Sequence, residues 1–187
     1  MVTSTDIKTW KKENLDPVSC TFCTAKWKQV TLHLHNGHTH SCHHPTSHKI
    51  PLEELKDNPS ALHNTKFKKE QRKLMLEGKR PAECDYCWRV EDSGSEELSD
   101  RTYKSFEPWA QPHIQDIVDK GWDDNVNPSY LEVSFSSVCN LKCSYCSPQV
   151  SSKWMEEIKE HGPYNTSNKF NDLQWLIQTD AMPIPNR

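Results

Sequence analysis

Eight cysteines, Cys20, Cys23, Cys42, Cys84, Cys87, Cys139, Cys143 and Cys146, constrain this chain more than any other feature. Cys20/Cys23 and Cys84/Cys87 are Cys-x-x-Cys pairs, and the last three form Cys-x-x-x-Cys-x-x-Cys. An even count is compatible with disulfides. However, the first twelve residues hold no hydrophobic core of a signal peptide, so the expected setting is cytoplasmic, where clustered cysteines serve as metal ligands or redox groups. Cysteines separated by two residues across a tight turn suit tetrahedral chelation better than an unstrained disulfide.

The composition narrows the class further. Only 34% of the 187 residues are apolar, below the roughly 45 to 50% of ordinary globular domains, and this length fits one domain or one plus a piece of another. No apolar run approaches the roughly 18 residues of a membrane span, so no membrane partner is expected. The formal net charge is -3, from 23 basic and 26 acidic residues. That balance argues against a nucleic-acid binder working by bulk charge. Residues 66–80 carry seven basic and two acidic side chains and read as a solvated helix face.

Along the chain, residues 1–16 are polar, without apolar periodicity, and read as a flexible lead-in. From Lys28 to His35 the side chains alternate, placing Val30, Leu32 and Leu34 on one face and Thr31, His33 and His35 on a solvated one. Asn36-Gly37 predicts a tight hairpin, with His38 to Cys42 returning. A short helix is expected near Leu52 to Leu55, and a longer one from Thr65 to Glu77 with Phe67, Leu74 and Met75 on one side and Gly78 beyond its end. Glu91 to Asp100 has five acidic and no basic residues and reads as an exposed loop. A helix broken or started near Pro112 is expected over Pro108 to Lys120. Tyr130 to Phe135 reads as a strand leading into the three-cysteine loop. A helix should follow, capped by Ser147 and with Val150, Trp154 and Ile158 in register, and a last one near Asn171 to Gln178.

The strand, cysteine loop and helix form the first βα step of an α/β layer that has barely begun when the sequence ends. The chain therefore reads as a piece of a longer protein.

Three thiolates on one loop suit three irons of a [4Fe-4S] cube whose fourth iron is open, or a zinc ion completed by a distant His or Cys. Seven of the ten histidines lie between His33 and His48. Exposure on the strand's polar face is the ordinary explanation for His33 and His35, and adventitious or no metal binding is the preferred reading of the tract; the alternative is a ligand or proton-transfer role for His43 or His44 beside Cys42. Trp27 and Trp154 read as core.

Cys139-Asn-Leu-Lys-Cys143-Ser-Tyr-Cys146, with a strand leading in, resembles the radical SAM superfamily. The resemblance implies that Cys139, Cys143 and Cys146 ligate a [4Fe-4S] cluster whose open iron chelates S-adenosylmethionine, with Tyr145 beside the cofactor. It also implies a reductant such as flavodoxin or ferredoxin, and a 5′-deoxyadenosyl radical that abstracts hydrogen from a peptide or small-molecule substrate. Upstream, Cys23, Gly37, Cys42 and Cys84-Asp-Tyr-Cys87 resemble the elements of twitch and SPASM auxiliary-cluster domains. The ligands of a second, closed [4Fe-4S] cluster would then be Cys23, Cys42, Cys84 and Cys87; a structural zinc knuckle uses the same ligands. Cys20 is left over as a substitute for Cys23 or a free thiol, Cys23 being preferred because Trp27 and a strand follow it.

The expected architecture is therefore α/β: a small α+β twitch-like domain over 17–125, then the first βα unit of a truncated radical SAM partial TIM barrel over 126–187. The family's Gly-Gly-Glu-type segment has no counterpart here, so these 187 residues alone are expected to be inactive. The competing reading is a non-catalytic zinc or iron–sulfur module for binding or electron transfer.

Overall fold

The computed structural model describes residues 3–94, 96–148, 150–164 and 172–178. The chain is mixed helix and strand, of α+β character. Its helices are α1 (Ser4–Asn14), α2 (Ala25–Lys28), α3 (Leu52–Asp57), α4 (Lys66–Leu76), α5 (Asp85–Asp92), α6 (Asp100–Phe106), α7 (Ile114–Lys120), α8 (Ser152–His161) and α9 (Leu173–Gln178). Strands β1 (Gln29–His33), β2 (His38–His40), β3 (His48–Lys49) and β4 (Tyr130–Ser134) form one sheet in the order β3-β2-β1-β4. Two compact units result: Met1–Thr31 with Thr39–Glu132, and Leu32–His38 with Val133–Arg187. The division puts the end of the first strand and the hairpin tip in the second unit.

From Thr3 onward the expected lead-in forms a capped helix. Thr3 and Asp6 cap α1 reciprocally, each side chain accepting from the other's backbone N–H. Ile7 and Leu15 are buried, and Trp10 meets Phe106 edge to face with ring centroids 5.1 Å apart. The apolar residues are too few to show a helical period, and the helix is held by its cap and by α6.

The hairpin is wider than a two-residue turn. The N–H groups of Asn36 and Gly37 both donate to the His33 carbonyl, at 3.2 and 2.8 Å. Gly37 has φ 72°, the left-handed region open to glycine. Nor is its polar face solvated: His35 is buried, His33 half-buried, and Leu34 exposed. The reason is β4, which pairs parallel with β1. Ser129 N–H donates to the Lys28 carbonyl and Leu34 N–H to that of Ser134, each at 2.9 Å. The Oγ of Ser134, the last residue of β4, lies 3.3 Å from His35 Nδ1.

Helix α4 begins where Thr65 accepts from the Lys68 N–H, as the sequence predicts. Its inward face is different. Lys68, Arg72 and Met75 are buried, while Phe67 is exposed and Leu74 half-buried. The basic stretch is thus not wholly a solvated face. Arg72 donates to Asn64 Oδ1 at 2.8 Å and to the Lys26 carbonyl at 3.2 Å, and Lys68 donates to Thr39 Oγ1 at 2.8 Å. These bonds give the buried nitrogens the acceptors that apolar surroundings alone would deny them.

The core of the first unit gathers Leu15, Phe22, Trp27, Met75, Trp88, Ile117 and Val126. Trp27 is fully buried with its Nε1 donating to the Gly121 carbonyl at 2.9 Å. Cys23, Cys84 and Cys87 belong to the same cluster, so three thiols are part of this buried core.

Candidate metal-binding sites

In the first unit, Cys23, Cys42, Cys84 and Cys87 line a single cavity, with Lys26, His44, Asp100 and Arg101 among its walls. The four come from three separate stretches: the turn before α2, the end of β2, and the first turn of α5. Cys20 is exposed and points elsewhere, its thiol donating to the Gly78 carbonyl at 3.8 Å.

What brings the stretches together is largely α6, a helix the sequence pattern does not announce. Arg101, buried on α6, forks onto Glu91 at 2.6 and 3.1 Å. The same guanidinium reaches the carbonyls of Phe22 at 2.8 Å and Cys20 at 2.9 Å, and Ser105 accepts from the Thr24 N–H at 3.0 Å. Together these fasten the turn carrying Cys23 to α5 and α6. Glu91 and Asp92 are therefore helical rather than part of an exposed acidic loop.

Each sulfur has a polar neighbour of its own. The backbone N–H of His44 donates to Cys42, that of Arg101 to Cys87, and the Lys26 ammonium to Cys84. Cys23 Sγ donates to the Arg101 carbonyl at 3.9 Å. Burial pushes the thiols up, to about 12 for Cys42 and Cys87 and about 11 for Cys84, with neighbouring cysteines adding to it. Burial also opposes the charge on Lys26, but Cys84, Glu83 and Cys42 outweigh it and hold the ammonium above the usual lysine range. Buried, protonated thiols ringed by N–H donors are suited to a metal that displaces their protons, because the donors then face thiolate charge.

Among the described residues, the only three ligand atoms lying mutually within 4.8 Å belong to His43, His44 and Asp100. No three of the four sulfurs meet that limit, so they stand wider than the ligands of one tetrahedral ion at about 2.3 Å bond length. His44 Nε2 lies 2.7 Å from Asp100 Oδ2 and His43 Nε2 lies 3.3 Å from the same oxygen. The His44 ring stacks on Tyr86 with centroids 3.7 Å apart.

In the second unit, Cys139, Cys143 and Cys146 occupy the connection from β4 to α8, all partly exposed. Helix α8 starts later than expected: Ser151, not Ser147, is its cap, accepting from the Trp154 N–H at 3.3 Å. The serines at this start also bind the loop. Ser151 Oγ donates to the Leu141 carbonyl at 3.0 Å, Ser152 Oγ to that of Cys139 at 3.1 Å, and the Ser152 N–H to that of Ser137 at 2.7 Å. Val150 is consequently outside the helix, and Met155 and Ile158 are its buried residues. Trp154 is only half-buried. It works as a tether, its Nε1 donating to the Cys143 carbonyl at 2.9 Å. Tyr145 is 89% exposed, its hydroxyl donates to the Cys143 sulfur, and all three cysteines raise its pKa. Phe135, Val138 and Leu141 of the same connection are also exposed.

Arg101, Lys26 and Ser151 are the site residues that sequence reasoning misses. Arg101 follows directly on an acidic run, and its role appears only when Glu91, Phe22 and Cys20 are seen around it. Ser151 carries a readable signal, a Ser two residues before a helical Lys-Trp-Met stretch, but Ser147-Pro148 competes with it. No family model, curated protein or solved structure matches this chain.

Proposed function

We propose that this chain is an iron–sulfur protein of the radical SAM kind, with a site-differentiated [4Fe-4S] cluster on Cys139, Cys143 and Cys146. A closed auxiliary cluster is assigned to Cys23, Cys42, Cys84 and Cys87. The observation that carries the reading is the β4–α8 loop, where three cysteines lie within eight residues and Ser151 and Trp154 at the start of α8 hold the Leu141 and Cys143 carbonyls, with the Tyr145 hydroxyl bonded to the Cys143 sulfur. Three thiolates leave one iron open, and such a cluster supplies chelation and reductive cleavage of S-adenosylmethionine to a hydrogen-abstracting radical. Within the chain, Ser151, Ser152 and Trp154 hold the loop backbone, and Tyr145 offers an exposed ring and a sulfur-directed hydroxyl beside the ligands. At the auxiliary site, the wide spacing of the sulfurs and the donors on Cys42, Cys84 and Cys87 support a multi-iron group. The electron donor is a flavodoxin- or ferredoxin-type protein, and the substrate a peptide or small molecule.

A second reading, zinc at the four-thiol site of a non-catalytic module, is favoured by the cavity's size. It encloses about 20 Å³, room for little more than one water or ion as the side chains stand.

Iron, sulfide and zinc content of anaerobically reconstituted protein, with low-temperature EPR before and after S-adenosylmethionine, tests both readings. The expected result is about eight irons per chain, falling to about four when Cys139, Cys143 and Cys146 are all Ala, with an EPR signal perturbed by S-adenosylmethionine. About four irons with stoichiometric zinc would keep the first cluster and assign zinc to the second. Zinc without iron would overturn the radical reading.

A further inference from the structure

The cluster of His43, His44 and Asp100 lies outside both cysteine assignments. We propose that it is a separate, mononuclear site for a divalent first-row transition ion. It sits in the first unit, where His44 and Asp100 also line the four-thiol cavity, and it uses no sulfur ligand.

The geometry is that of ligands around one ion. Asp100 Oδ2 lies 2.7 Å from His44 Nε2 and 3.3 Å from His43 Nε2, and all three atoms are mutually within 4.8 Å. Ligands bonded at about 2.0 to 2.2 Å stand about 3 to 3.5 Å apart around a six- or four-coordinate ion, so binding requires only small adjustments. The site is also built rather than incidental. His44 is held by its stack on Tyr86 (centroids 3.7 Å, interplanar angle 12°), with its side chain only 13% exposed. Its own backbone N–H is committed to Cys42, and buried Pro45 follows it. Asp100 opens α6, whose next residue, Arg101, is locked by Glu91.

Two imidazoles and one carboxylate are a donor set for Zn²⁺, Fe²⁺, Co²⁺ or Ni²⁺ rather than for Ca²⁺ or Mg²⁺. Three protein ligands leave positions open, and they open to solvent, because the His43 side chain is 57% exposed. Water or a small ligand would complete the shell.

Cobalt is the probe, because its spectrum separates the sites. Reconstituted protein is cleared of loose metal with a chelator and titrated anaerobically with Co²⁺. The expected result is one ion per chain with weak visible d–d bands and no thiolate-to-cobalt charge transfer. Those bands are read as the difference between wild type and His43→Ala, in which absorption from iron or cobalt on the cysteines is common to both and cancels. Affinity should fall at least about tenfold in His44→Ala and in Asp100→Asn. His43→Ala, at an exposed position, should give a similar loss with the near-ultraviolet circular dichroism unchanged, which separates ligand loss from misfolding. Absence of the d–d bands, or affinity unchanged in His43→Ala and Asp100→Asn, overturns the proposal.

Discussion

The indole Nε1 of Trp154 donates to the carbonyl of Cys143 at 2.9 Å, so the first turn of α8 holds the middle cysteine of its own loop. Trp154→Phe keeps the ring and deletes that bond. A loss of about 1 kcal/mol of local stability is expected, read as faster hydrogen exchange in the peptide spanning 139–147. Exchange there identical to wild type would mean that the serines alone hold the loop.

Arg101 serves four acceptors at once, both Glu91 oxygens and the carbonyls of Phe22 and Cys20. Lysine cannot reproduce a planar fork. Arg101→Lys should therefore lower metal retention at the four-thiol site, though no sulfur is touched, while the Cys139–Cys146 loop keeps its complement. Metal analysis after chelator challenge distinguishes the two sites, and equal retention at both would remove α6 from its role as a clamp.

Lys26 is 3% exposed and forms an ion pair with Glu83, whose side chain is 12% exposed. Breaking a buried pair from one side leaves an uncompensated charge, so Lys26→Met should cost about 3 kcal/mol in urea unfolding. Lys26→Met/Glu83→Gln should recover part of that loss. A double variant no better than the single one would show that the lysine acts mainly through Cys84.

Stability should rise from pH 6 to 8.5. Burial, with Arg72 and Lys26 nearby, pushes Lys68 down to about 6 in the folded protein, against the ordinary lysine value of 10.5. Between those values the unfolded chain binds the extra proton, so acidification favours unfolding, by up to about 1.4 kcal/mol per pH unit. Below the folded pKa both states are protonated and this contribution is flat. His63, pushed down to about 2 by burial and by Lys68 and Arg72, continues the loss from its ordinary value of 6.5 downward. In Lys68→Met the slope of unfolding free energy between pH 6 and 8.5 should flatten; an unchanged slope assigns it to other groups.

Leu15, fully buried behind α1, tests whether the amino-terminal helix is part of the fold. Leu15→Ala should cost about 3 kcal/mol, whereas a loosely attached segment would show almost no change in denaturation midpoint.

Short windows of sequence carried much of the local structure. Thr65 and Gly78 bracket α4, Pro112 precedes α7, Gly37 takes a left-handed turn, and Tyr130 to Ser134 is a strand. Each of these rests on backbone chemistry within a few residues, which a linear pattern can express. The same holds for the cysteine spacings, which name candidate ligands but not their surroundings.

Other features required partners distant in the chain. Lys68 and Arg72 are buried because Thr39, Asn64 and the Lys26 carbonyl accept from them, and His35 is buried where its ring meets the Ser134 hydroxyl of β4. Cys23, Cys42, Cys84 and Cys87 share one cavity because Arg101 draws the Cys23 turn onto α5 and α6. The sequence by itself determined which groups can cap, turn or ligate. Only the tertiary structure decided which charges are buried and which ligands meet, because desolvation and hydrogen-bond satisfaction are set by neighbours that packing, not chain order, supplies.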